Sequence, residues 1–269
     1  GLASRALELA ANSRLLRATF SAAPAIEIDS DIEDVVYVNY LVDAARLEPF
    51  VAEGLELQRV GPAGAHAVFS MLTYRHGHFG PALLGSMRRL LPSPVQSNWR
   101  TYVRDPRTKR EGIYFVTNCV TSAAYAIGAR IVAEGMPMHL LARGSVTKGG
   151  HDAISVRLDA GRGTAPDLDA SLAVAALRQL PEAWRACFDD YDAMLAHVVP
   201  QDRALSTLPW RRETARAEID LGIPLAACVP LEGRVASRVA EAIVGDAAPL
   251  CFLVRAVAFR FTQDARDPW

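Results

Sequence analysis

Asn98-Trp99-Arg100-Thr101-Tyr102-Val103-Arg104, closed by the charged turn Asp105–Glu111 and followed by the apolar run Ile113–Val120, decides how this chain folds. The first seven residues alternate. Trp99, Thr101 and Val103 share one face of a strand, and Asn98, Arg100, Tyr102 and Arg104 share the other. The second run is apolar on both faces, which places it centrally in a sheet. The core of the molecule is therefore expected to be a hairpin with one face already committed to packing. The other face is left for solvent or for the inside of a barrel.

Upstream, Val35–Val42 reads as a strand with Val36, Val38, Tyr40 and Val42 on one side. Asp43 is placed to cap a short helix over Ala44–Val51. Gly54 ends it, Leu55–Val60 is a second strand, and the turn Gly61-Pro62-Ala63-Gly64 leads into a third, Ala65–Tyr74. Residues 76–97, rich in Gly and Pro, read as a long loop. At the start of the chain, 2–20 has helical spacing of Leu2, Ala6, Leu9, Leu16 and Phe20. Residues 1–30 are therefore expected to be a helical extension packed on the main domain or a dimer arm.

Downstream, Ser122 caps a small-residue helix reaching Val132. His139–Val146 and Ala153–Leu158 flank the turn Thr147-Lys148-Gly149-Gly150 as a hairpin. Leu172–Leu180 and Glu182–Val198 look helical, with Pro181 between them. Ala215–Cys228 and Leu250–Thr262 read as long strands, with a helix near Val235–Val244. Strands cluster in both halves and no βαβ rhythm repeats. The expected fold class is α+β, an antiparallel β-barrel or cone with peripheral helices, in a single domain over 1–269.

Composition narrows the function classes. Of 269 residues, 51% are hydrophobic and 22% charged, an ordinary globular balance. A net charge of −1 gives no global attraction to nucleic acid or anionic membrane. The N-terminal region carries Arg5, Glu8, Arg14 and Arg17, so it lacks the unbroken apolar core of a signal peptide. Cys119, Cys187, Cys228 and Cys251 are widely spaced and read as free thiols in a reducing compartment. A cytoplasmic protein without cofactor or metal is the expectation; no dinucleotide, phosphate-loop or zinc motif is present.

Three stretches resemble the acetoacetate-decarboxylase-like superfamily: Val38-Asn39-Tyr40 through Asp43 to Gly54-Leu55-Glu56-Leu57, Gly112-Ile113-Tyr114-Phe115 through Ala129-Arg130 to Pro137, and the closing strand Phe252–Phe261. Asn98-Trp99-Arg100-Thr101-Tyr102-Val103 is similar, more narrowly, to a run in the YqjF-like family of bacterial proteins, which shares that fold. The resemblance implies the barrel and a pocket within it. It also exposes a loss. Where the decarboxylase carries its Schiff-base lysine, this chain reads Met136-Pro137-Met138. One family carboxylate is replaced by Ile131, the other falls near the amide Asn98, and only Arg130 remains. A Schiff base needs an uncharged amine in a desolvated pocket, which methionine cannot supply.

Lys109 and Lys148 are the only lysines in the chain, and both fall in turns. On its helix, Arg130 lies near the small buried face, so it needs an anion. That anion is either an internal carboxylate such as Glu134 or the carboxylate of a bound substrate. The pocket implied by the resemblance would take Arg130, Arg100, Asn98 and Asn39 as substrate-binding residues, with His139 or Tyr102 supplying a proton. His76-x-His78 could pair two imidazoles on a metal but has no acid or cysteine beside it.

The first expectation is a binding protein or divergent enzyme holding a small anionic metabolite, a carboxylate or keto acid. The alternatives are a lyase on keto acids with Lys148 as the amine, and a non-catalytic assembly protein. The expected partners are that metabolite and a second copy of the chain, not nucleic acid or membrane.

Overall fold

The computed structural model describes positions 9, 13, 15 and 27–268, except 133–135, 151, 201, 209–211 and 221, and except the side chains of 132, 208, 220 and 256–268. Of the helix expected over 2–20, all but positions 9, 13 and 15 lie outside the described residues.

The chain opens with β1 (Glu27–Asp43), α1 (Ala44–Leu47), β2 (Glu56–Leu57), β3 (His66–Pro81), β4 (Val95–Arg104) and β5 (Glu111–Val120). It continues through α2 (Ala123–Val132), β6 (Met138–Leu140), β7 (Arg143–Lys148), β8 (Ile154–Asp159) and β9 (Leu168–Val174). The last part holds α3 (Glu182–Arg185), α4 (Tyr191–Val198), β10 (Arg203–Leu208), β11 (Glu213–Asp220), β12 (Cys228–Ala236), α5 (Arg238–Val244) and β13 (Pro249–Pro268).

Strand pairing runs β1-β3-β4-β5-β10-β11-β13, and β13 also pairs with β1, so the path returns to its start as a cone. Its thin seam is between β5 and β10, where a single parallel pair, Ala204 with Ile113, joins them. From β13 the sheet continues through β12, β9, β8 and β7 as a second layer against the cone.

Period-two alternation explains the two cores. On β1, Val36, Val38, Tyr40 and Val42 pack toward the second layer, with Val156, Leu158, Ala170 and Leu172. Val35, Tyr37 and Leu41 point the other way, into the cone, with Leu72, Tyr102, Phe115 and Phe252. The helices α3 and α4 fill the cone with Trp184, Met194, Leu195 and Val198, each no more than 1% exposed.

Several expectations are corrected. Residues 27–30 are not part of an extension, because β1 begins at Glu27 and is paired on both sides, with β3 and β13. Residues 76–97 are not one loop: β3 runs on to Pro81, followed by 3-10 turns over Ala82–Leu90. Leu172–Leu180 is not a helix. Leu168, Ala170 and Leu172 alternate with exposed neighbours in β9, which is held between β8 and β12. Tertiary pairing here overrides the helical propensity of Leu and Ala. Ala215–Cys228 is interrupted: β11 stops at Asp220, Pro224 precedes a 3-10 turn, and β12 starts at Cys228. His139 belongs to β6, which pairs in parallel with β5, while the hairpin itself is β7–β8. The Asp105–Arg110 turn, the helix after Ser122 and the capping of α1 by Asp43 agree with the sequence reading.

Candidate functional site

Inside the cone is a cavity of about 40 Å³, lined by Tyr37, Tyr74, Gln96, Asn98 and Arg100 against an apolar wall that includes Ile113, Phe115 and Met136. A volume of that size holds roughly three waters, at the ~10–15 Å³ each requires.

The strand geometry delivers these groups. Asn98, Arg100 and Tyr102 alternate inward along β4 and are at most 8% exposed, so their face lines a barrel interior, one of the two expected outcomes. Arg104, next in the alternation, emerges at the rim and pairs with Glu56 at 2.9 Å. On β5 the register shifts, with Trp99 opposite Thr117 and Arg100 opposite Phe115. The extra residue, Val116, switches the inward parity of β5, so that Phe115 and Ile113 reach the cone while Val116 packs toward the second layer. That bulge is why the run reads as apolar on both faces.

Arg100 is 3% exposed. Its Nη2 donates to the Val198 carbonyl at 3.2 Å, and its Nε has no hydrogen-bond partner. The rings of Tyr37 and Tyr102 each lie with their centroid 5.8 Å from the guanidinium carbon. No ion pair among the described residues involves Arg100. A guanidinium stays protonated, so a buried charge without a counter-ion stands at the cavity wall.

Beside it runs a chain of buried polar groups. Ser30 Oγ lies 2.8 Å from His76 Nδ1, and His76 Nε2 lies 2.9 Å from Gln96 Oε1. Gln96 Nε2 donates to Asn98 Oδ1 at 2.8 Å, and Asn98 Nδ2 donates to the Tyr74 hydroxyl at 2.9 Å. Burial lowers the His76 pKa to about 4, so its imidazole is neutral at physiological pH. Burial also pushes the Tyr37 hydroxyl up to about 12, against the pull of Arg100, and raises that of Tyr74. Both phenols are therefore protonated donors.

The residues expected from the sequence divide into three groups. Asn98 and Arg100 line the cavity together. Asn39 and Tyr102 are fully buried behind it, with their polar atoms engaged by protein. Asn39 donates to the Leu250 carbonyl at 3.0 Å and accepts from Ser70 Oγ at 2.7 Å. Tyr102 lies 2.8 Å from Ser70 Oγ and donates to the Val198 carbonyl at 3.1 Å. Arg130 and His139 form a separate group outside the cavity lining. The Arg130 Nε donates to the Met138 carbonyl, and His139 Nδ1 lies 2.8 Å from Thr164 Oγ1. Burial, then the nearby Arg130 charge, lowers the His139 pKa.

Met138 is buried under α2 with Val120 and Ala126. Lys148 is exposed and paired with Asp34 at 2.8 Å. His76 and His78 do not converge: one is buried in the chain above, the other is half-buried and paired with Asp31.

Sequence reasoning missed Tyr37, Tyr74, Gln96 and Ser30. For Tyr74 and His76 the signal was the alternation of Leu72 with both, hidden by reading a loop at His76.

The cone with its inner cavity has the acetoacetate-decarboxylase-like fold. An acetoacetate decarboxylase from Legionella pneumophila subsp. pneumophila str. Philadelphia 1 has TM-score 0.56 and 11% identity over 91% of this chain and 86% of its own. An acetoacetate decarboxylase-like enzyme from Sphingomonas wittichii RW1 has TM-score 0.59 and 11% identity over 91% and 93%. The enduracididine biosynthesis enzyme MppR, complexed with the condensation product of pyruvate and imidazole 4-carboxaldehyde, has TM-score 0.51 and 13% identity over 92% and 90%. At such identities the likeness is one of fold. Residues 29–182 match DUF2071, a family of uncharacterized conserved proteins, and the chain belongs to it. No functionally curated protein matches the sequence.

Proposed function

We propose that this protein binds a small carboxylate inside its cone, with Arg100 as the anion anchor and Asn98 and Tyr74 beside it. The observation that carries the reading is the buried Arg100 guanidinium, whose Nε is unpartnered at the wall of a cavity. A carboxylate would supply the missing counter-charge and acceptor atoms. The cavity volume suits an acid of a few heavy atoms. That fold neighbours include an acetoacetate decarboxylase and an enzyme solved with a pyruvate-derived compound is consistent with this class.

Turnover through a Schiff base is not part of the proposal. Among the described residues, the cavity lining contains no lysine, carboxylate or histidine, and its two tyrosines are held protonated. Lys148, the amine of the lyase alternative, is held by Asp34 at the surface. The four cysteines are free, consistent with a reducing, cytoplasmic location.

Calorimetric titration of the full chain with formate, acetate, pyruvate and acetoacetate tests the reading. Saturable one-to-one binding of at least one of these acids, abolished in Arg100→Met, is expected. A wild-type protein that takes up none of the four would overturn it.

A further inference from the structure

The chain Ser30–His76–Gln96–Asn98–Tyr74 ends on the cavity, and its hydrogen bonds can all point one way. Each internal member has one donor and one acceptor committed along the line. A neutral imidazole donates from one nitrogen and accepts at the other, and each amide donates from nitrogen and accepts at oxygen. Turning one amide alone would set two donors or two acceptors face to face, so the members turn together.

Two directions therefore exist. In the one seen in the structure, both amides donate toward Tyr74. Gln96 Oε1 then takes its hydrogen from His76 Nε2, and Ser30 donates to His76 Nδ1. That contact, at 2.8 Å, is shorter than the alternative from Ser30 to the Gly77 carbonyl at 3.2 Å. Tyr74, already an acceptor from Asn98, is left with its own O–H to donate into the cavity. In the opposite direction Tyr74 donates to Asn98, His76 carries its hydrogen on Nδ1, Ser30 donates to Gly77, and the phenol offers the cavity only a lone pair.

Resting on the reading of the cavity as an anion site, we infer that Tyr74 is a specificity-determining donor to the bound carboxylate, and that the ligand fixes His76 as its Nε2–H tautomer. Arg100 and Tyr74 then present N–H and O–H to the two carboxylate oxygens. His76, Gln96 and Ser30 are positioning residues, since they reach the ligand only through Asn98 and Tyr74. Burial keeps His76 neutral, which a one-way chain requires. Such a site takes ionised carboxylates. A group that presents a hydrogen at the Tyr74 end, such as an alcohol or a protonated acid, requires the opposite direction, in which Ser30 donates to the more distant Gly77 carbonyl at 3.2 Å.

The test is long-range ¹H–¹⁵N correlation on ¹⁵N-histidine-labelled full chain titrated with acetate, the His76 signals being assigned by their loss in His76→Gln. In the acetate-saturated protein, Nδ1 is expected to resonate as a bare nitrogen and Nε2 as a protonated one. Tyr74→Phe is expected to weaken acetate binding by roughly ten-fold or more, the usual consequence of deleting a hydrogen bond to a charged group. An Nδ1–H tautomer in the saturated protein overturns the inference while leaving the anion site standing, as does wild-type affinity in a folded Tyr74→Phe. Absence of acetate binding to the wild type overturns this inference at the level of the site itself. The tautomer measurement uses the unaltered protein, so it decides the question even where a variant fails to fold.

Discussion

Arg100 and Val198 are joined across the cone: the guanidinium of β4 donates to the last carbonyl of α4 at 3.2 Å, an oxygen that also accepts from Tyr102. Carbonyls at a helix C-terminus have no intrahelical partner and carry partial negative charge, so they attract cations. The residue proposed to hold the ligand thus also touches the helix that fills the cone, and binding and stability are expected to be separable by mutation.

Arg100→Met removes a buried charge and keeps much of the volume. Tyr102 still caps Val198, so unliganded stability by urea unfolding should be unchanged or higher, by up to about the 1–4 kcal/mol found when buried ion pairs are replaced by apolar groups. Acetate should no longer raise the melting temperature. A loss of several kcal/mol in this variant would mark the guanidinium as structural.

Asn39→Leu should do the opposite. It leaves the Leu250 carbonyl without the Asn39 donor, and leaves Ser70 only the Tyr102 hydroxyl as a side-chain partner, in a fully buried setting. Each unsatisfied group costs about 1–3 kcal/mol, so urea midpoints should fall clearly. Carboxylate affinity measured on the folded fraction should stay near wild type, because Asn39 does not line the cavity.

Acid should destabilise the fold in a defined window. Burial lowers His76 and His197 to about 4 from the ordinary 6.5. Between those values the unfolded chain binds more protons, so stability rises with pH. The contribution is fully present above about pH 6.5 and lost as pH falls to about 4. Across that window each buried histidine gives up roughly 1.4 kcal/mol for every pH unit. Melting temperature against pH should slope through this window, and His76→Gln should flatten it. An unchanged slope in that variant would show that His76 is not held neutral.

Trp184→Ala removes one of the largest buried side chains from α3, where it packs near Phe188 with ring centroids 5.9 Å apart. A cost of about 3–5 kcal/mol in denaturant unfolding is expected for an aromatic deletion of this kind. A cost below about 1 kcal/mol would mean that the helices do not seal the cone.

Much of the fold could be read in the sequence because burial follows a period of two. The alternation around Val36 and Trp99 set strand faces, and the turn at 105–110 set a hairpin. Leu172 misled because a short Leu/Ala run has no strand signature of its own and acquires one from its neighbours β8 and β12. Of the three residues proposed to hold the ligand, two could be singled out from the sequence. Asn98 and Arg100 share a face whichever fold contains it. Arg130, singled out by resemblance and helical spacing, instead donates to the Met138 carbonyl away from the cavity.

By itself the sequence determined which side chains share a face, where turns fall, and that the residue directly after Pro137 is Met138 and not lysine, all of which are properties of neighbours along the chain. Only the tertiary structure decided that Arg100 has no counter-ion among the described residues. Only there does Tyr74 end a chain begun at Ser30, and only there are Asn39 and Tyr102 saturated by Leu250, Ser70 and Val198. The physical reason is that a polar group's role depends on whether its hydrogen-bonding capacity is already met, and here the groups that meet it come from strands and helices remote in the chain.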